Sequence, residues 1–326
     1  MSATSPRVYI VLLNWNGWRD TIECLRSVFG LEYSNARVVV CDNGSTDGSL
    51  DHIRAWANTT RGSTREIVTA DWHPQHARDD AAADLVLLPT GGNLGFAGGN
   101  NIGLHYVIER GDADYVWLLN NDTVVAADVL AHMVGRATGD VAIGAVGATL
   151  VDFDADVVQE AGAVSSRWTG MSKSLAAGQP LASWRGSAGE VDFITGGCML
   201  VPMTTIRRVG VLDDRFFMYC EDVDWCIRMR AAGLRLVLAP EALVRHKAGA
   251  STVYKSARHD YMVAKSTLML IEKHHPARLP IAFANSVYRL LLPRLVRGQW
   301  VRLRAVLQAY AELSREMRMR WRGAGA

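Results

Sequence analysis

Arg37-Val38-Val39-Val40-Cys41-Asp42-Asn43-Gly44-Ser45-Thr46-Asp47-Gly48 passes from an apolar run straight into a polar turn. A continuous apolar run of this length suits a strand buried on both faces. Leu50, Ile53 and Trp56 follow at helical spacing, so strand, turn and helix succeed one another. The pattern repeats on either side. Upstream, Val8–Leu13 ends in Asn14-Trp15-Asn16-Gly17, and Ile22, Leu25, Val28 and Phe29 then share one side of a helix that Asp20 is expected to cap. Downstream, Leu85–Leu88 leads through a Gly91–Asn101 loop to a helix carrying Leu104, Val107 and Ile108 and stopped at Gly111. Tyr115–Leu119 is a fourth strand, ending in Asn120-Asn121-Asp122-Thr123. Repeated β-α-β units predict an α/β fold with a Rossmann-like, mainly parallel sheet flanked by helices. Ligands in such sheets sit at the carboxyl ends of the strands. Each polar motif above falls at such an end. The stretch Ala57–Ala83 is polar and aperiodic, and reads as an inserted surface loop.

The second half differs. Strands are expected at Ile143–Leu150, Val191–Val201 and Arg235–Leu238, around a helix that opens at Glu221-Asp222 and runs to Gly233. From about Tyr254 the chain reads as helical to its end, with Leu303, Val306, Leu307, Tyr310, Leu313 and Met317 at helical spacing. This divides the chain into a domain over 1–253 and a basic amphipathic helical extension over 254–326.

Composition narrows the function classes. The 326 residues are 49% hydrophobic and 21% charged, ordinary for a globular protein, and five scattered cysteines without a CxxC pair read as reduced thiols. The short polar start, Met1 to Arg7, is not a secretory signal. The longest apolar candidate, Leu279–Val296, is broken by Arg289, Pro293 and Arg294 and is not expected to span a bilayer. The net charge of +2 conceals ten arginines against two acids from Arg278 onward. Such a tail meets an anionic surface or solvates the outer faces of helices. No nucleic-acid partner is expected, and no oligomeric state is legible.

The polar motifs carry the chemistry. Asp42 can accept a hydrogen bond from the N3–H of a uracil or thymine ring, or close an Asx-turn. The Gly91–Asn101 loop has five glycines, which allow backbone to approach a ligand, ahead of a helix N-terminus that favours phosphate. It fits a dinucleotide fingerprint poorly, because that belongs after the first strand. Asn120-Asn121-Asp122 gathers oxygen side chains that suit Mg²⁺ or Mn²⁺, or else forms a turn capped by Thr123. His246 is a candidate further ligand. Glu221-Asp222 stands in the first turn of a helix, where the dipole keeps a carboxylate ionised; it is either dipole compensation or a general base. Thr195-Gly196-Gly197-Cys198 offers a close-approach loop for an acceptor.

Taken in order, Asn14-Trp15-Asn16, Cys41 to Gly48, Gly92 to Asn101, Leu119 to Thr123, Thr195-Gly196-Gly197, Phe217 to Arg228 and Val244-Arg245-His246 resemble glycosyltransferase family 2. That family has the GT-A fold, and the likeness is to its rhamnosyltransferase-like bacterial branch. It covers about residues 8 to 250. The resemblance implies a nucleotide-sugar half over about 1–125 and an acceptor half over about 126–253. It implies that Asp42 binds the pyrimidine, with Asn14 and Trp15 lining the same pocket, that Asn93 and Gly95 lie along the nucleotide, and that Asn121 lies near the ribose or diphosphate. Asp122, Asn120 and His246 would hold the divalent metal, Asp222 would be the catalytic base, and Gly196, Gly197, Glu221 and Trp225 would meet the acceptor. Asn120 departs from the family pattern, which has Asp there in many members. The implied reaction is an inverting transfer from a nucleotide diphosphate sugar, with dTDP-rhamnose the first expectation and galactose, glucose or another hexose behind it. The implied acceptor is a glycan or a polyprenyl-diphosphate-linked saccharide, at the inner face of the cytoplasmic membrane. A nucleotidyltransferase and a non-catalytic sugar-nucleotide-binding protein are the remaining alternatives.

Overall fold

The computed structural model describes residues 5–60, 64–66, 84–186, 189–247 and 256–323. Most of the expected loop at Ala57–Ala83, and Tyr254, therefore lie outside the described residues. The chain divides into two compact units. Residues 1–164, 174–217 and 221–251 form the larger, and 165–173, 218–220 and 252–326 the smaller.

In chain order the elements are β1 (Val8–Asn14), α1 (Trp18–Val28), β2 (Ala36–Asp42), α2 (Ser49–Thr60), β3 (Thr64–Glu66), β4 (Leu85–Pro89), α3 (Gly95–Arg110), β5 (Tyr115–Asn120), β6 (Thr123–Val125), α4 (Val129–Thr138) and β7 (Ile143–Asp152). Then come β8 (Val158–Glu160), β9 (Ala163–Ser165), β10 (Ser172–Ser174), β11 (Cys198–Pro202), α5 (Met203–Val209), α6 (Glu221–Ala231) and β12 (Arg235–His246). The smaller unit holds α7 (Ala257–His274), α8 (Leu279–Ser286), a π-helical turn at Val287–Leu291, α9 (Leu292–Val296) and α10 (Trp300–Gly323).

The main sheet runs β3-β4-β2-β1-β5-β11-β7-β12-β6, with β8 on β7. β1 is parallel to β2 and to β5, and β2 is parallel to β4. β11 is antiparallel to both β5 and β7, while β12 is parallel to β7. The carboxyl ends of β1, β2, β4, β5, β7 and β12 therefore share one edge with the amino end of β11. The core under this edge is built from the apolar runs themselves: Val8, Ile10, Leu12, Val38, Val40, Leu85, Leu87, Trp117 and Leu119 are all buried in one cluster.

Three local expectations change. Asp20 does not cap α1; Gly17 stands at the cap, and Asp20 lies in the first turn, 2.6 Å from Lys247 Nζ. The glycine-rich segment is mostly helix, since α3 begins at Gly95, and Gly99 and Gly103 face the sheet. A Cβ at Gly99 would lie 2.5 Å from Leu13 Cδ1, and one at Gly103 would lie 2.7 Å from Val11 Cγ1. Those glycines let the helix sit close on β1, a packing requirement that reads in sequence as a loop. The strand expected at Val191–Val201 is ordered as a strand only from Cys198, because Gly196-Gly197 turns the chain into the site.

In the smaller unit α7 packs on α10, with Ala264, Val306 and Ala309 at the contact and Tyr261, Leu290, Leu291 and Tyr310 around it. Lys265 Nζ bridges to Glu316 at 2.7 Å. Of the apolar stripe Leu303, Val306, Leu307, Tyr310, Leu313 and Met317, only Leu307 is exposed. The stripe is the inner face of a helix pair rather than a free membrane-facing surface.

Candidate active site

At the edge of the larger unit, β1 and β2 end in register, Asn14 opposite Asp42. Asn14 is fully buried. Its Nδ2 donates to Asp42 Oδ1 at 2.7 Å and to Ser45 Oγ at 3.1 Å, while its Oδ1 accepts from Thr21 Oγ1 at 2.8 Å. Asn121 Nδ2 donates to the same Thr21 hydroxyl at 2.8 Å. Asp42 Oδ2 accepts from Ser45 N–H at 3.1 Å. The Asp42 carboxylate is thus fixed from two sides, with lone pairs left on each oxygen. Asn14 acts from behind it, and Trp15, one residue on, is partly exposed.

The next wall comes from two loops laid against each other. Asn43, buried, receives Leu94 N–H at 2.9 Å and donates to Asn93 Oδ1 at 3.2 Å and to Gly95 O at 3.1 Å. Asn93 is exposed at the rim. Gly95 is buried with φ of 76°, and a Cβ there would lie 2.1 Å from the Phe217 carbonyl oxygen. Its glycine is required by that backbone contact; Gly91 and Gly92, where a Cβ would meet nothing within 4 Å, are the ones that leave space.

The three residues singled out as metal ligands come together. His246 Nε2 lies 3.2 Å from Asp122 Oδ1 and 3.3 Å from Asn120 Nδ2. His246 closes β12 opposite Thr123 of β6, which explains how residues so far apart in sequence meet. Gln159 on β8 completes the arrangement. Its Nε2 donates to His246 O at 2.8 Å and to Asp152 Oδ2 at 3.3 Å, which turns Oε1 toward His246 Nδ1 at 3.0 Å. An amide oxygen only accepts, so Nδ1 carries the proton and Nε2 faces Asp122 and Asn120. A carboxylate oxygen and an imidazole nitrogen at this separation suit a divalent cation. Asn120 joins as an oxygen donor only if its amide turns over, because Nδ2 faces the histidine here. Among the described residues no group of three His, Cys, Asp or Glu gathers as a metal cage.

The opposite wall is acidic. Asp222, partly exposed on the first turn of α6, accepts Gly196 N–H on Oδ2 at 3.0 Å and Val223 N–H on Oδ1 at 2.8 Å. Burial of the carboxylate raises its pKa, against the pull of these amides. The dipole alone was expected to keep it acidic; desolvation outweighs it. Glu221 is buried, its Oε2 has no partner among the described residues, and burial followed by the Asp222 charge raises it well above the usual range. Glu160, next to Gln159, is pushed up to about 7 by burial and then by the Asp222 charge. Tyr219 and Cys220, just ahead of Glu221, both have φ of 69°, a conformation that stores strain in residues with side chains. The loop between the walls is short: a Cβ at Gly196 would touch Phe96 Cε1 at 3.0 Å, and one at Gly197 would touch Asn120 Nδ2 at 3.0 Å.

A family model described as glycosyltransferase-like family 2 matches residues 6–260. The chain belongs to this family. It is 29% identical over 255 residues to an N-acetylglucosaminyl-diphospho-decaprenol L-rhamnosyltransferase of Mycobacterium tuberculosis, covering 73% of this chain and 75% of that one. It is 30% identical over 164 residues to the rhamnosyltransferase WbbL of Escherichia coli, covering 46% and 60% respectively. The mannosyltransferase PcManGT of Pyrobaculum calidifontis, solved with GDP-Man and Mn²⁺, superposes with a TM-score of 0.56 at 18% identity, over 96% of this chain and 76% of that one. That likeness supports the GT-A fold. The protein is a glycosyltransferase, which sets aside the nucleotidyltransferase and non-catalytic readings.

One expected acceptor residue of this glycosyltransferase does not face the site. Trp225 is fully buried, and its Nε1 donates to Gly210 O at 2.9 Å. It lies on the core side of α6, so it supports the helix that carries Asp222 rather than touching a ligand. Gln159 and Glu160 were not singled out from sequence, because β8 is three residues long and shows no periodicity around them.

Proposed function

We propose that this glycosyltransferase moves a sugar from a nucleoside diphosphate to a hydroxyl of a glycan or polyprenyl-diphosphate-linked saccharide, with inversion. One observation carries the reading. Asp222 is a carboxylate raised in basicity, reachable from solvent and aimed by two backbone amides, one of them from the loop that also touches Asn120. A raised carboxylate near neutral pH is a better general base than an ordinary one. Asp222 takes the proton of the acceptor hydroxyl, whose oxygen bonds to the anomeric carbon as the bond to the diphosphate breaks. Asp42 accepts from the N3–H of the base, Asn14 holds it in place, and Trp15, Asn93 and Asn121 line the nucleotide. Asp122 and His246, with Asn120, would hold a Mg²⁺ or Mn²⁺, which would supply positive charge against the departing diphosphate. Gly196, Gly197 and Glu221 shape the acceptor side.

The rhamnosyltransferase names among the relatives, which include a dTDP-rhamnosyl transferase RfbF of Shigella flexneri at 22% identity, favour dTDP-rhamnose as donor. The lipid-linked acceptor named for the mycobacterial relative favours work at the inner face of the cytoplasmic membrane. No helix among the described residues is long and apolar enough to cross a membrane, so attachment would be peripheral. A panel of nucleotide sugars with Mn²⁺ tests the donor: dTDP-rhamnose is expected to raise Tm most, by mass action. A UDP-hexose that raises it more replaces the donor assignment.

A further inference from the structure

The smaller unit has a concavity of its own. A cavity of about 310 Å³ is lined by Arg289, Arg294, Arg297 and Arg302, with Val263 and Leu290 among its apolar walls. One carboxylate serves these four cations. Asp260, fully buried on α7, is bonded by Arg294 at 2.8 and 2.9 Å and by Arg302 at 2.7 and 2.9 Å. Against the penalty of burial, the two guanidiniums hold it at about 2, so it stays charged. Arg289 and Arg297 have no acidic partner among the described residues. The cavity therefore has an excess of positive charge, with two arginines fixed by Asp260 and two unengaged at its rim. Arg289 and Leu290 stand on the π-helical turn, an irregularity common at functional sites.

The residues that neighbour these arginines in the chain are apolar and exposed, where a solvated surface would be polar. Tyr288, Leu292, Val296, Trp300 and Val301 are exposed by 72, 42, 84, 60 and 74%. Positions 288, 292 and 296 recur at helical spacing on one face, and Trp300 and Val301 follow the Arg297-Gly298-Gln299 turn. These side chains are not core in waiting, since the inner face of α10 is already buried on α7. No acid occurs between Arg278 and Ala311. A symmetric contact with a second copy would set these arginines against their own kind.

We propose that the turn between α9 and α10 is a lipid-phosphate site. The phosphate of an anionic membrane lipid enters the arginine cavity, and Tyr288, Leu292, Val296, Trp300 and Val301 lie among the acyl chains. Guanidinium and phosphate pair through charge-assisted hydrogen bonds, and Tyr and Trp suit the interface. The inference deepens the membrane location proposed above and does not depend on the sugar chemistry.

Flotation of the full chain with phosphatidylcholine vesicles, with and without phosphatidylglycerol, is the test. Wild type is expected to float with the anionic vesicles at low salt, and less so at high salt. Arg289→Gln with Arg297→Gln should weaken binding roughly fivefold per arginine. Val296→Ser with Trp300→Ser should weaken it at all salt concentrations. Both pairs are exposed, so unchanged melting and donor hydrolysis should accompany the loss. Equal binding to neutral and anionic vesicles overturns the proposal, and this arm needs no variant. Loss with the arginine pair alone, with inorganic pyrophosphate competing fully, makes the cavity a free-phosphate site and overturns the lipid assignment. A dimer dissolved by the apolar pair, in protein that ignores vesicles, assigns the face to a second copy. Vesicle preference without any donor hydrolysis would remove the function proposed above and leave this site standing.

Discussion

His246 Nε2 and Asp122 Oδ1 face each other at 3.2 Å across the edge where β12 meets β6. With the histidine proton fixed on Nδ1 by Gln159, the pair presents a nitrogen lone pair and a carboxylate to one point. A divalent cation at that point would be held by both groups. Asp122→Ala should therefore abolish the Mn²⁺ dependence of UDP or dTDP binding in calorimetry. Metal dependence that survives the substitution moves the site elsewhere.

Gln159 acts through the histidine. Gln159→Leu keeps the volume but frees the ring to change tautomer, and should weaken Mn²⁺ affinity by about 10 to 100-fold. Titration of the protein with Mn²⁺ alone reads this directly. Unchanged Mn²⁺ affinity in Gln159→Leu would make Gln159 a packing residue.

Asp222→Asn should lower transfer by about 10² to 10⁴-fold while leaving donor binding nearly intact, since only proton removal is lost. One of the two backbone donors at Gly196 and Val223 keeps an oxygen to bond and the other loses its acceptor, so Tm is measured beside turnover. Wild-type turnover in the purified variant would reduce Asp222 to a helix-terminal residue.

The pH dependence follows from the direction of the shifts. Asp222 and Glu160 are both raised, so each folded-state carboxyl holds its proton to higher pH than in the unfolded chain. Stability should fall as pH rises from the ordinary carboxylate range to about 7, the value of Glu160. Turnover should rise with pH as Asp222 becomes a free base. Glu160→Gln should flatten the decline of Tm across that window. An unchanged slope would assign it to another group.

The shared edge was legible in the sequence, because the apolar runs ending at Asn14, Asp42 and Asn120 each become a strand and carry their polar residues to it. The meeting of His246 with Asp122 and Asn120 was expected only through the family resemblance, since nothing local relates them. Local residue type misled twice. Gly99 looks like loop and is helix, because its tight contact with Leu13 is long-range. Trp225 looks like a ligand platform beside Asp222 and is core, because helical rotation turns it inward. Gln159 and Glu160 gain their roles from tertiary pairing of a three-residue strand, which leaves no pattern to read.

The reversal of β11 between β5 and β7 has a consequence for how such an enzyme can change. Its amino end meets the same edge as the carboxyl ends of the parallel strands, so the segment 189–197 enters the site from the side opposite the nucleotide loops. Gly196 and Gly197 then couple Asp222 to Asn120 through two consecutive peptides, with no side chain between them. Val191, Phe193 and Ile194 earlier in that segment are buried, so packing limits what can replace them. Under the proposed function, acceptor preference is then bounded by that core and by the two glycines that hold Asp222 and Asn120 in register.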